Sequence, residues 1–164
     1  MKILTESEVF SIALNRNVSV GLLKPSQISV AEQTWFRQWV SDEFYFDIVD
    51  NEDDYLDFIE DFVKPIVAWG AIYNNYEYIT VNITDKGLIQ LLVEGTASLL
   101  NRDSKLDAKF EIKNTAYQLI KKMFAYCKAE KADNNPLFAN FAPSNIEPAI
   151  VTFYGRERLN QIPY

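Results

Sequence analysis

Two repeating apolar stripes constrain this chain more than anything else in it. From Asp54 to about Tyr78, apolar residues fall at Tyr55, Ile59, Phe62, Ile66, Trp69, Tyr73 and Tyr76, in alternating steps of four and three. That spacing places them on one face of a helix. Asp57, Glu60, Asp61 and Lys64 take the other face. Pro65 lies inside the run. Lacking an N–H, it leaves the carbonyl of Asp61 without its helical donor, which predicts a kink there. A second stripe over roughly 104–131 runs through Leu106, Phe110, Lys113, Tyr117, Ile120, Phe124 and Cys127, widened by Ile112, Ala116, Leu119 and Met123. Each helix would be about 40 Å long at roughly 1.5 Å per residue. Two such stripes need each other, plus shorter helices, to leave water. The expected fold class is therefore mostly α: a small helical bundle with two long helices.

The shorter helices announce themselves by their starts. Thr5-Glu6-Ser7-Glu8 is a capping box, opening a helix of about 6–15 with Val9, Ile12 and Ala13 on one face. Asn15 to Pro25 reads as a loop. A second box, Ser29-Val30-Ala31-Glu32, is expected to open a helix near 30–40, where Ile28, Ala31, Trp35 and Trp39 recur at helical spacing beside Phe36 and Val40. "SDEFYFDIVD" reads as a further helix started by Ser41 or Asp42.

Two stretches break the helical pattern. In "ITVNITDKGLIQ", residues 79–90, Val81 and Ile83 alternate with polar residues, and "TDKG" supplies a turn in which Gly87 can take positive φ. Apolar extended chain continues to Val93, so an inserted β-hairpin or loop is expected over about 79–93. A lone hairpin is marginal and its edges invite another chain, so the stretch is read as a pairing element, not a catalytic one. After Lys131 comes a segment with Pro136, Pro143, Pro148 and Pro163 and no helical period, still rich in Phe, Tyr, Ile and Leu. It reads as an extended aromatic arm that either wraps its own domain or docks on a neighbour. The organisation is thus a helical domain over 1–131 and a C-terminal arm over 132–164.

Composition narrows the chemistry. No His is present, and Cys127 is the single cysteine, so an internal disulfide, zinc sites, Ser-His-Asp triads and Cys-His dyads lose their usual residues. The run Asp50 to Asp61 does not make an EF-hand: Tyr55 stands where the loop needs Gly, and Asp61 where it needs a bidentate Glu. Glu52, Asp53 and Asp54 instead suit a helix N-terminus. Among the 23 acids only Glu94, in "LLVEGTASLL", has an apolar context fit to raise its pKa, and no second acid pairs with it for glycoside hydrolysis. A carboxylate hydrolase is the least favoured reading, and neither cofactor nor metal is expected. Trp35, Trp39 and Trp69 fall on helical stripes and read as core. Lys105, Lys109, Lys113, Lys121, Lys122, Lys128 and Lys131, interspersed with Asp107 and Glu111, read as a salt-laced helix surface. No apolar run of 18 residues exists to span a membrane. "MKILTESEVF" lacks the apolar core of a signal peptide, so the chain is expected to stay in the compartment where it is made.

Charge is unevenly placed. Residues 1–83 hold 14 acids and 5 bases, a net of −9, while residues 84–164 hold 9 acids and 11 bases, a net of +2. The global excess of acid disfavours non-specific nucleic-acid binding. A bipolar chain can stack head to tail, acidic face on basic face, although a solvated acidic face explains the same numbers.

"ISVAEQTWFRQWVSDEFYFDIVD", "YLDFIEDFVKPIVAWGAI", "ITDKGLIQ" and a long helix ending near "YCKAEKAD" together make a pattern that resembles head–tail connector proteins of tailed bacteriophages, also called adaptor or head-completion proteins, in particular those of phages and prophages of gut Bacteroidetes, including crAss-like phages. The resemblance covers about residues 26–131. It implies a non-enzymatic virion protein of the neck, assembled in the host cytoplasm, of which about twelve copies form a ring with heterologous contacts between portal and tail. It implies the portal protein and other neck or tail ring proteins as partners, with DNA passing through the channel unrecognised. The long aromatic arm departs from simpler members. Candidate contacts are Ile83, Asp85, Lys86, Gly87 and Leu88 in the hairpin, and Phe153, Tyr154, Arg156, Arg158, Ile162 and Tyr164 in the arm. The alternative is an acidic soluble regulatory protein that binds a single protein partner through its acidic face.

Overall fold

The structure, a computed structural model, describes residues 4–14, 21–79 and 102–143, with side chains of the last segment from Leu106 onward. It is mostly helical. In chain order come α1 (Glu6–Leu14), α2 (Pro25–Trp35), a 3₁₀ turn (Arg37–Trp39), α3 (Asp42–Asp50), a 3₁₀ turn (Glu52–Tyr55), the short α4 (Leu56–Phe58), a π-helical turn (Ile59–Val63), α5 (Lys64–Asn74), the long α6 (Arg102–Ala132) and a last 3₁₀ turn (Pro136–Phe138). Residues 76–79 add a helical turn beyond α5.

Helix starts follow local chemistry. At α1 the Thr5 hydroxyl accepts from the Glu8 amide at 3.3 Å, and Glu8 accepts from the Thr5 amide at 2.7 Å, a completed capping box. The Ser41 hydroxyl caps α3 by accepting from the Phe44 amide at 3.4 Å. The second expected box does not form. α2 starts a turn earlier at Pro25, whose fixed φ suits the first helical position, and the Gln27 side chain accepts from the Lys24 amide at 2.8 Å. Ser29 is consequently interior to the helix. Glu32, expected as a capping partner, is buried on it. The helix also ends at Trp35, so Trp39 and Val40 lie beyond it.

The Asp54–Tyr78 run is not one continuous α-helix. Four residues of 3₁₀, one short α turn and five residues of π-helix precede α5. The π turn, in which the Lys64 amide donates to the Ile59 carbonyl, sits immediately before Pro65. A proline deprives the Asp61 carbonyl of its donor and crowds it, and widening the previous turn to i→i+5 bonding accommodates both effects.

α5 is the hub of the bundle, contacted by α1, α2 and α6. Ile66, Val67, Ala68, Gly70, Ala71 and Ile72 are all buried, and Lys64, Pro65, Trp69 and Tyr73 are half-buried, so only Asn74 at the end of the helix is exposed. α6 by contrast buries one face, through Ile112, Ala116, Ile120, Met123, Phe124 and Cys127. Leu106, expected on that face, is instead 56% exposed.

A second packing centre surrounds Phe44 of α3, whose ring lies 5.4–5.9 Å from those of Tyr55, Phe58, Phe138 and Phe141, three of these contacts edge-on. Two of those rings come from the chain after α6. Asn134 takes the left-handed conformation (φ 59°) that ends a helix, and Asn135 then caps the last 3₁₀ turn. The chain returns across α3: the Ser41 amide donates to the Ala142 carbonyl at 2.8 Å, and Val40 forms an antiparallel bridge with Pro143. The first part of the expected arm therefore wraps its own domain. The expected hairpin and the rest of the arm lie outside the described residues.

Candidate functional site

All the contact residues named from the sequence fall outside the described residues: Ile83, Asp85, Lys86, Gly87 and Leu88 in 80–101, and Phe153, Tyr154, Arg156, Arg158, Ile162 and Tyr164 in 144–164. The structure does show where these segments join the bundle. Glu77 pairs with Lys109 at 3.2 Å, tying the chain after α5 to the first third of α6, at the end where residues 80–101 connect. The segment from 144 onward begins at Pro143, beside the start of α3.

On the described surface, the most strongly charged feature is an acidic strip over residues 50–61. It holds Asp50, Glu52, Asp53, Asp54, Asp57, Glu60 and Asp61, with no base among them, and all seven are exposed. Only Glu60 has an ion-pair partner among the described residues, Lys64, which also lies 3.9 Å from Glu8. Leu56, 54% exposed, sits amid these acids. Among the described residues no three acids or thiols converge to hold a metal ion.

α6 carries the opposite sign. From residue 112 to 129 it has Lys113, Lys121, Lys122 and Lys128 and no acid. Its flanks have different neighbours. Tyr117 packs against Trp35 and Trp39, at 5.4 and 6.2 Å between ring centroids. Lys121 and Lys128 follow it at helical steps of four and seven, so they share that flank. Tyr126 lies on the other flank, 4.9 Å from Phe62 and 6.2 Å from Phe58 of the acidic segment. Acidic strip and lysine flank thus sit on opposite sides of α6. On α6, Lys109 pairs with Glu77 beyond α5 and not with the interspersed Asp107 or Glu111, and Lys121 and Lys122 have no acid partner among the described residues.

An open groove of about 440 Å³ lies between the start of α2 and the end of α5, lined by Ser26, Gln27, Val30, Tyr73, Asn74, Asn75 and Lys109. Its carboxamides are already engaged. Gln27 donates to Asn75, Asn74 accepts from the Trp35 indole at 3.0 Å, and Asn75 donates to the Ala71 carbonyl at 2.9 Å. Lys109 and Lys113 rest over the Tyr73 ring at 5.6 and 5.8 Å. The groove's polar groups therefore hold α2, α5 and α6 together.

Four buried ionisable groups, Glu32, Tyr45, Tyr55 and Cys127, were not singled out as site residues from the sequence. Glu32 accepts from the Tyr45 hydroxyl at 2.6 Å inside the α2–α3 contact. Burial, then that bond, push the Tyr45 hydroxyl up to about 12. The Tyr55 hydroxyl donates to Asp47 at 2.7 Å and also contacts the Leu137 carbonyl, and burial raises its pKa further. Burial likewise pushes the Cys127 thiol up to about 12, leaving an unreactive protonated thiol at neutral pH. Nothing in residue type alone marked Glu32; only its position on the buried face of a helix that starts at Pro25 does.

No protein-family model, curated protein or solved structure matches the chain. Among the described residues no helix is long and apolar enough to cross a membrane.

Proposed function

We propose that the chain is a structural subunit of the neck of a tailed bacteriophage, forming a ring between portal and tail that extends the DNA channel and docks the tail. The observation that carries this reading is the pair of oppositely charged surfaces on either side of α6, on a bundle whose buried groups are committed to packing. Opposite surfaces on one subunit are what a heterologous, ring-forming contact requires. The sequence resemblance to head–tail connectors supplies the setting. In this reading the protein is not an enzyme, its partners are copies of itself, the portal and adjacent neck proteins, and it resides in the virion after assembly in the host cytoplasm.

The exposed acidic strip also favours a second reading, an acidic regulatory protein that binds one basic partner. Co-sedimentation with purified portal rings from the same genome separates the two. Saturable binding at about one copy per portal subunit is expected of a neck ring stacked on the portal. Absence of portal binding, together with absence of the chain from purified particles, overturns the neck reading in favour of the regulator.

A further inference from the structure

We propose that residues 21–23 form a carboxylate-binding nest for which Glu6 is the built-in ligand, so that the first turn of α1 is held against the entry to α2 by an exchangeable anion. The proposal does not depend on how copies of the chain assemble. Three successive backbone N–H groups converge on one side chain. The Leu22 and Leu23 amides donate to Oε1 of Glu6 at 2.6 and 3.0 Å, and the Gly21 amide donates to Oε2 at 3.2 Å. Both oxygens are engaged, which suits the two-oxygen fork of a carboxylate. A carboxamide would turn an NH₂ group towards one of the donors. Gly21 takes φ 68°, the left-handed backbone that turns successive N–H groups to one side, and a Cβ there would meet nothing within 4 Å. The glycine therefore answers a backbone need and not a steric one.

Each side of the contact is fixed by other means. The Thr5–Glu8 capping box sets the first turn of α1, and Val9, Phe10 and Ala13 are buried on a helix that packs against α5. Leu22 and Leu23 are 3% and 4% exposed, which anchors the nest in the core. The donors that meet the Glu6 charge are backbone groups, and their bonds to an ionised acceptor are stronger than those between neutral groups. Glu6 precedes the three amides by 15, 16 and 17 positions, so this side chain sets the register of α1 on the start of α2.

The test is urea unfolding of the full chain and of its Glu6→Ala and Glu6→Gln variants, each in sodium formate and in sodium chloride at matched ionic strength. In chloride, both variants are expected to unfold with an equilibrium constant at least about tenfold larger than that of the wild type, since each loses charge-assisted bonds. In about 0.2 M formate, Glu6→Ala is expected to regain at least about threefold of that loss, because formate fills the emptied nest in the folded state only. The wild type and Glu6→Gln, whose nests are already occupied, are expected to gain nothing from formate over chloride. Proton–nitrogen amide spectra locate the site. Formate should move the Gly21, Leu22 and Leu23 signals of Glu6→Ala saturably and leave those of the wild type in place. If Glu6→Ala is unfolded in chloride, formate is expected to restore its helical circular dichroism. A Glu6→Gln chain as stable as the wild type overturns the proposal, because the carboxylate is then not needed. So does a formate response of Glu6→Ala no larger than that of the wild type, or one whose shifts fall away from residues 21–23.

Discussion

α5 and α6 began as the same kind of signal, an apolar residue every three or four positions, and became different objects. α5 is buried over most of its circumference, between α1, α2 and α6, with Ile66, Val67, Ala68, Gly70, Ala71 and Ile72 all inside and Pro65, Trp69 and Tyr73 half-buried. α6 is nearly three times as long in residues and buries one face, leaving Gln118, Lys121, Lys122 and Ala125 in water. Periodicity reports where apolar side chains point, but not how many neighbours surround the helix. The small residues between the large ones separate the two cases. "AWGA" in α5 lets neighbours approach the backbone, whereas the corresponding gaps in α6 hold Lys and Gln.

If that comparison is right, truncation anywhere around α5 should be costly. Ile66→Ala and Ile72→Ala are each expected to lose about 2–5 kcal/mol in urea unfolding, because each leaves a cavity in a packed interior. Gly70→Ala tests the same point by addition. A Cβ at Gly70 would lie 2.4 Å from Cγ and Cδ1 of Trp35, whose ring is itself wedged between Tyr73 and Tyr117. A loss of about 1–3 kcal/mol is expected from the forced shift of α2 or its ring. A neutral result would mean that α2 does not pack on α5 as closely as it does here.

The bundle, the α1 cap, the Ser41 cap, the one long helix α6 and its packing on α5 were legible from spacing and capping chemistry, whereas the other expected long helix is broken into shorter pieces. Three features were not. The start of α2 was misplaced because a Ser-x-x-Glu pattern looks like a capping box anywhere, while the proline that begins the helix lay in a stretch read as loop. The disturbance at Pro65 was foreseen, but its form as a π turn depends on which carbonyl gives way. The return of residues 135–143 over α3 depends on Phe138 and Phe141 finding Phe44 about ninety residues away, a tertiary contact with no local signature. For the charged surfaces, the charge imbalance was visible in the sequence, but only the neighbours of Tyr117 and Tyr126 show that the two signs lie on opposite sides of α6.

The α2–α3 contact offers a sharper test than either α5 or α6, because its polar pair is titratable. Tyr45→Phe leaves the buried Glu32 carboxylate without its tyrosine donor and is expected to cost about 1–3 kcal/mol at pH 7. The alkaline limb follows from the raised pKa values. Tyr45 is raised from 10.0 to about 12, Tyr55 is raised too, and Cys127 is raised from 9.0 to about 12. The folded protein keeps these protons longer than the unfolded chain does. Their stabilising contribution is complete below about pH 9 and is lost as the pH rises from there towards 12. Melting temperature should therefore fall through that window, and Cys127→Ser should shift the onset of the fall from about 9 to about 10, where the tyrosines begin to matter.

The smallest effect belongs to the exposed side of α6, and it is the one that most cleanly separates the two helices. Gln118→Ala replaces one good helix former by a better one at an exposed position, so its effect on stability should stay within about 0.5 kcal/mol. Lys121→Ala should be equally silent in the unfolding of the isolated chain, since Lys121 has no acid partner among the described residues. The lysine's effect should appear only in the concentration dependence of sedimentation. A side chain that matters to association and not to folding belongs to a surface kept for a partner. If Lys121→Ala instead destabilised the monomer as an α5 truncation does, the flank would be part of the subunit's own packing, and the contrast between the two helices would fail.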